Sequence, residues 1–225
     1  MGIIVYLDTV LIPFSLFLMV GYHAYLWHSF KNKPSQTTIG INALRRKGWF
    51  LDIKEGDDKK GMLAVQSLRN AQMATIFTAS VAILINLSVA ALTNNTYISS
   101  HLLSNPFFGL QVGRISVLKF GSASLFLLVS FLCSSMALGF LVEANFLLNI
   151  FDDFSSSPTY VQTVFERGFL LSLIGNRVLC ITFPLLIWLL GPVPVALSSV
   201  ALVWGLYELD FYGKCGRETC INSLT

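Results

Sequence analysis

At 225 residues, with 54% hydrophobic and 12% charged residues and a mean hydropathy of +0.68, the chain lies outside the usual composition of a soluble domain. It is too short to hold a membrane bundle beside a separate soluble module, so one membrane domain, residues 1–225, is expected. A formal net charge of +3 is too small to argue for a nucleic-acid partner, and the informative signal is where the basic residues fall.

Crossing a hydrocarbon core of roughly 30 Å takes about 20 mostly apolar residues. The first stretch of this kind, residues 3–26, is interrupted only by Asp8. Its leading "MGIIVYLD" lacks the basic start of a secretory signal, and "GYHAYLW" offers no small-residue cleavage site, so a permanent anchor is expected. Tyr6 stands where a myristoylation signal needs Ser or Thr.

The following loop, 27–70, carries Lys31, Lys33, Arg45, Arg46, Lys47, Lys54, Lys59, Lys60 and Arg69, which marks it as cytosolic. Within it, "TTIGINALRRKGWFLDI" has Thr37 or Thr38 as a helix cap. Ile39, Ile41, Leu44, Trp49 and Leu51 are interleaved with the basic run Arg45, Arg46, Lys47. An interfacial helix resting on anionic headgroups, with Trp49 at the boundary, is expected. Residues 71–92 form an uncharged second span, entered at Arg69 and Asn70 and carrying Asn86 well inside, where an interhelical hydrogen bond is the expected role. A glycosylation sequon, Asn94-Asn95-Thr96, follows directly after it.

The third span, 120–142, lies between Lys119 and Glu143. In "SSSPTYVQTVFERGFLLSL", Ser157 reads as a cap and Pro158 as the first helical position. Tyr160, Val161, Val164, Phe165 and Phe169 share one face, which predicts a second interfacial helix. The fourth span, 178–207, is uncharged for 30 residues, too long for a straight crossing. Pro192 and Pro194 in "LLGPVPVAL" break or kink it. Three forms stay open: one kinked span, a re-entrant pair of half-helices, or two spans with the earlier one starting near Gly168 and burying Arg177. Four spans put both termini outside the cytosol, with the tail 208–225 outside; a re-entrant or five-span ending puts the tail inside. In an extracytosolic tail, Cys215 and Cys220 are close enough in sequence for a small disulfide loop.

No known chemistry is written into the chain. His23 and His28 are five residues apart, not the three or four that would place two ligands on one helix face, and no acidic partner stands beside them. There is no G-x-S-x-G elbow, Walker loop or dinucleotide fingerprint, and Cys133 and Cys180 read as small packing residues. No catalytic residue, cofactor or metal is expected. What remains is a set of polar residues at the span ends: His23, Arg69, Asn70, Glu143, Asn145, Asn176 and Arg177 in a cytosolic layer, and Asp8, Lys119, Glu208 and Asp210 in an outer layer. Polar groups near hydrocarbon are costly unless paired, so Glu143 is expected to meet Arg69 or Arg177, and Asp8 or Glu208 to approach Lys119. Such a set can staple a bundle electrostatically or line a polar vestibule.

Three ordered motifs carry a resemblance. "TTIGINALRRKGW" with Asn42, Arg46 and Trp49, then "AVQSLRNAQMA", then "GNRVLCITFPLLIWLLGP" with Gly175, Arg177, Pro184, Trp188, Gly191 and Pro192, resemble the domain of unknown function 599 family of small multi-span proteins. The resemblance implies architecture and brings no active-site residue with it. The expectation is an all-α integral membrane bundle of four transmembrane and two interfacial amphipathic helices. Its expected role is that of a scaffold or interaction subunit, as a homo-oligomer or with a membrane-protein partner. The alternatives are a small oligomeric channel or transporter using Arg69, Glu143, Arg177 and Asn86, and a lipid-modifying enzyme.

Overall fold

In the computed structural model, residues 2–54, 58–94, 113–149 and 158–222 are described, with side chains for 10–49, 61–93, 117–148 and 159–211. These residues form six α-helices and no strand. The helices are α1 (Gly2–Asn32), α2 (Thr38–Lys54), α3 (Asp58–Asn94), α4 (Gly113–Asn149), α5 (Pro158–Ile187) and α6 (Pro192–Asn222); a 3-10 turn, Pro34–Gln36, joins the first two. Five stretches are long and apolar enough to cross a membrane: Val10–Asn32, Gly61–Thr93, Val117–Leu148, Thr159–Ile187 and Pro192–Phe211. The chain therefore has the build of a multi-pass membrane protein.

The count of five arises at one joint. The 30-residue apolar run from Val178 to Tyr207 is divided between two helices, because α5 stops at Ile187 and α6 starts at Pro192. The last turn closes by Trp188 N–H to Pro184 O at 2.9 Å and tighter bonds from Leu189 and Leu190 to Leu186 and Ile187. Gly191 then takes φ 145°, a conformation side chains rarely adopt, and Pro192, lacking an N–H, opens the next helix where none is needed. Upstream, the helix beginning at Pro158 does not stay at an interface but runs unbroken into the apolar stretch, which makes room for a fifth crossing. At the other expected surface helix, Thr37 is the cap: its Oγ1 accepts the Gly40 N–H at 3.1 Å and its carbonyl the Ile41 N–H at 2.9 Å.

The packing core is the trio α3, α4 and α5, with α4 in the middle. Along α4, Ala123, Leu127, Ser130, Ser134, Ala137, Leu141 and Ala144 alternate steps of four and three, and none is more than 1% exposed. Ala64, Leu68, Thr75, Ala82 and Val89 hold the same seven-residue repeat on α3, and Val161, Phe165, Gly168, Gly175 and Thr182 on α5. A repeat of seven keeps one face of each helix toward its neighbour along the whole length. The seam is rich in small residues, which matters in lipid, where helices gain little by merely hiding apolar surface and associate through close contact and interhelical hydrogen bonds. Those bonds are present: Ser130 Oγ to Gly175 O at 2.7 Å, Thr75 with Ser172 at 2.8 Å, Gln72 Nε2 to Leu141 O at 3.0 Å, and Ser124 Oγ to Asn86 Oδ1 at 2.7 Å.

A second unit pairs α1 with α6, which run in the same direction, Tyr22 and Leu26 meeting Leu206 and Phe211 in one cluster. Its buried stripe on α1 is Ser15, Met19, Tyr22 and Leu26, and on α6 Val195, Ser199, Leu206 and Asp210.

The tightest approach in the trio is at Gly175, where an added Cβ would lie 2.5 Å from Ser134 Oγ and 3.2 Å from Ser130 O. Gly175→Leu is expected to lower stability in detergent by about 1–3 kcal/mol or more, the usual cost of overpacking. Gly121→Ala, at a position where a Cβ meets nothing, should leave the unfolding midpoint unchanged or raise it. Thermal or denaturant unfolding of the two purified variants against the parent checks this.

Candidate functional site

Gly175 turns one face of α5 against α4; Arg177, two residues on, points to the other side, toward α1 and α6. There its guanidinium meets the carboxylate of Asp210 in a bidentate pair, Nη1 to Oδ2 at 2.9 Å and Nη2 to Oδ1. Asp210 is the last polar member of the α6 stripe and is 1% exposed. Tyr22, 7% exposed on α1, donates its hydroxyl to Asp210 Oδ2. One carboxylate thus collects three donors from two other helices, its charge matched by a guanidinium in the geometry that suits both. Beside this cluster, Thr38 Oγ1 at the start of α2 donates to Leu209 O at 2.9 Å, and Phe211 packs against Tyr25 and Tyr207 with ring centroids 5.6 and 4.9 Å away.

The neighbouring residue on α1 is His23, whose ring stands edge-on to Tyr22 at 5.3 Å. Its Nδ1 lies 2.8 Å from Met19 O, a carbonyl that can only accept, so this nitrogen donates. Beyond His23 an almost wholly apolar cleft of about 320 Å³ opens between α1, α4, α5 and the start of α6, reaching as far as Trp188. Above the Trp188 ring sits the buried Lys119 ammonium, 5.6 Å from the centroid. On the outer flank of α5, Arg46 of α2 lies 4.6 Å over the Phe169 ring. Burial draws the Arg46 pKa down, and the carboxylate of Glu166 opposes that shift.

The expected polar residues are dispersed. Arg69 and Asn70 are exposed at the entrance to the apolar part of α3, and Asn145 is half-buried on α4. Glu143 is exposed and accepts the Tyr160 hydroxyl at 2.9 Å, so its partner is the phenol and neither Arg69 nor Arg177. Asn86 is half-buried and bonded to Ser124, and Glu208 is exposed. Asp8, the Cys215 and Cys220 pair and the sequon at Asn94 lie outside the described side chains. Among the described residues no group of His, Cys, Asp or Glu is placed to hold a metal ion.

Arg177 is thus drawn from the expected set into a pair with Asp210, which a four-span reading puts at the opposite end of the bundle. The two are 33 residues apart, about 50 Å on one straight helix. Only the reversal at Gly191 brings them into contact, and Tyr22 joins from a third helix with no local sequence signal to mark it.

A family model described as "Protein of unknown function, DUF599" matches residues 10–215, a stretch that includes all three members of the cluster. The chain belongs to the DUF599 family. No curated protein and no solved structure matches it. Membership of DUF599 thus carries no reaction to this site, and its chemistry rests on the geometry: a neutral, fully donated ion pair that ties α5 to α6 and α1.

Breaking a buried pair strands the surviving charge, at a cost of about 3–5 kcal/mol, while removing both partners is far cheaper. Arg177→Met and Asp210→Leu are each expected to destabilise the protein strongly, and the double variant to recover much of the loss. A double-mutant cycle on unfolding free energy measures the coupling, and a cycle that closes near zero would mean the pair holds nothing together.

Proposed function

We propose that this protein is a non-enzymatic membrane scaffold or interaction subunit, a helical body that works by what it holds and not by what passes through it. The observation that carries the reading is the closed seam of α3, α4 and α5. The α4 seam is buried to within 1% along its length, and the Arg177–Asp210 pair is satisfied within its own chain. A water-filled path needs polar groups turned toward a lumen, and here Thr75 and Ser172, Ser130 and Gly175, and Ser124 and Asn86 bond to each other across the contacts of α3, α4 and α5.

Two interaction surfaces fit this role. On α2, Arg45 and Lys47 are exposed while Arg46 is anchored over Phe169, which leaves two cations of the basic run for anionic headgroups. The apolar outer faces of the spanning helices are open to lipid, to a second copy or to a membrane-protein partner. If all five apolar helices cross, the basic segment between α1 and α3 in the cytosol sets the N-terminus outside and the C-terminal tail inside.

Reconstituted into vesicles, the protein is expected to give ion and solute flux no greater than that of empty vesicles; a flux that disappears in Asp210→Asn would make it a transporter or channel. In a Cys133→Ser, Cys180→Ser background, a membrane-impermeant maleimide should label Cys215 and Cys220 in opened cells but not in sealed ones. Labelling of intact cells would place the tail outside and restore an even number of crossings.

A further inference from the structure

We infer that α2, together with the end of α1, docks onto the anionic lipid headgroups of the cytosolic leaflet: Arg45, Lys47, Lys31 and Lys33 meet the headgroup charge, while Arg46 holds the helix to the bundle. This deepens the scaffold reading, on which it rests in treating α2 as an interaction surface: it names the partner and divides the work of the basic run.

The depth of α2 follows from its two attachments. Thr38 Oγ1 donates to Leu209 O, and Arg46 lies over the Phe169 ring. Leu209 is 17 residues from the start of α6 at Pro192, and Phe169 is 18 residues from the end of α5 at Ile187. Both attachments therefore lie about 26 to 27 Å along a helix from the turn at Gly191. That is close to the hydrocarbon thickness of roughly 30 Å, so with α5 and α6 crossing the membrane, α2 from Thr38 to Arg46 lies flat at the boundary opposite that turn. Exposed aromatic rings mark the same level: Tyr25 and Tyr207, both packed on Phe211, and Trp27, 59% exposed. Lys31, four residues past Trp27, is about 6 Å further out, within the headgroup layer.

The faces of α2 are divided to match. Ile39, Arg46 and Trp49, at steps of seven and three, turn to the bundle, Ile39 against the cluster of Tyr22 and Leu206 and Trp49 against Phe165. Leu44, Arg45, Lys47 and Gly48 are exposed, and around the helix Leu44 falls between the two cations. An apolar side chain flanked by cations is the pattern of a helix seated between headgroups and acyl chains. Charge gives the sign of the partner. Residues 10–49 hold five Lys and Arg and no acidic residue, and the next one along the sequence is Asp52. Glu166 stands near Arg46, and Glu208 is exposed beside Leu209; among the described residues neither forms an ion pair with Arg45, Lys47, Lys31 or Lys33. Four exposed cations at headgroup depth are thus left to an anionic surface.

The test captures lipid at Gly48, which is exposed and has nothing within 4 Å of an added Cβ. Full-length protein with Gly48→p-benzoylphenylalanine is placed in nanodiscs of equal phosphatidylglycerol and phosphatidylcholine with the same acyl chains and irradiated, and the adducts are weighed by peptide mass spectrometry. The anionic adduct is expected to exceed the neutral one roughly fivefold or more, the bias that one cation near a membrane surface gives. The ratio should fall toward one in Arg45→Gln/Lys47→Gln and in 1 M salt, where the screening length is about 3 Å. Because both residues are exposed, the unfolding midpoint of that double variant in neutral detergent should not move, whereas Arg46→Gln, which loses the contact with Phe169, should lower it. The same probe at the exposed Leu132 of α4 should capture the two lipids equally. The absence of any lipid adduct at Gly48 would stand α2 in water, and equal adducts in the parent would leave its cations to an acidic protein; either result overturns the proposal. So does a ratio that the double variant leaves unchanged, or a midpoint that Arg46→Gln leaves unchanged. If the double variant fails to fold, the salt dependence decides. Flux from the reconstituted vesicles would sink the scaffold reading and leave this ratio as it is, so the two failures are distinguishable.

Discussion

A guanidinium inside an apolar bundle has to be neutralised, and much of this architecture follows from how Arg177 is neutralised. Carrying a charge into hydrocarbon costs several kcal/mol unless a counter-charge and hydrogen bonds replace the lost water. Asp210 supplies the charge, and Tyr22 adds a further donor to a carboxylate that burial has cut off from solvent. The pair is not evidence of large net stability, since two apolar residues of the same size could pack equally well. It is evidence of specificity: sliding α5 or α6 by a turn would strand a charge, and sliding α1 would strand the Tyr22 hydroxyl.

The trio of α3, α4 and α5 obeys a different constraint. Its helices are held by approach distance, which is why the α4 seam is Ala, Leu, Ser, Ser, Ala, Leu, Ala, and why Gly175 lies against Ser134. Small residues let backbones come close, and at that range serine and threonine hydroxyls reach across to carbonyls and to one another. The large side chains of the same helices, such as Leu125, Leu132 and Met136, are more than half exposed and form the outer surface. This is the inverse of a soluble bundle, where the large apolar residues would be inside.

How much of this was legible in the sequence depended on the range of the interaction. The apolar stretches, the Thr37 cap, the Pro158 start and the break at Gly191-Pro192 are local, and each follows from residues within one or two turns. The number of crossings was less legible, because Glu166, Arg167 and Arg177 make the first half of α5 look interfacial; what carries that helix onward is a partner 33 residues away. The Glu143 pairing turned on the same difficulty. The cations expected to meet it, Arg69 and Arg177, lie 74 and 34 positions away, and the residue that does meet it is a neutral phenol 17 positions downstream. Asp210 was visible as a charge at a span end, but its partner depended on whether the chain reverses, and Tyr22 looks like any aromatic residue of an apolar helix.

The cleft is a consequence of joining two units built on these different rules. Where α5 faces α4 it presents Gly168, Gly175 and Thr182, and the helices close up. Where it faces α1 it presents Ile181, Pro184 and Leu185 against Leu16, Met19 and Val20, side chains too bulky on both sides for the backbones to approach. The ion pair draws the two units together at one level and the tight turn at Gly191 ties them at another, so the gap between cannot close by a rigid shift of either. A bundle pinned at both ends and held apart in the middle keeps a space of fixed depth and apolar wall. That space is a part of the spanning region whose packing the chain does not complete by itself.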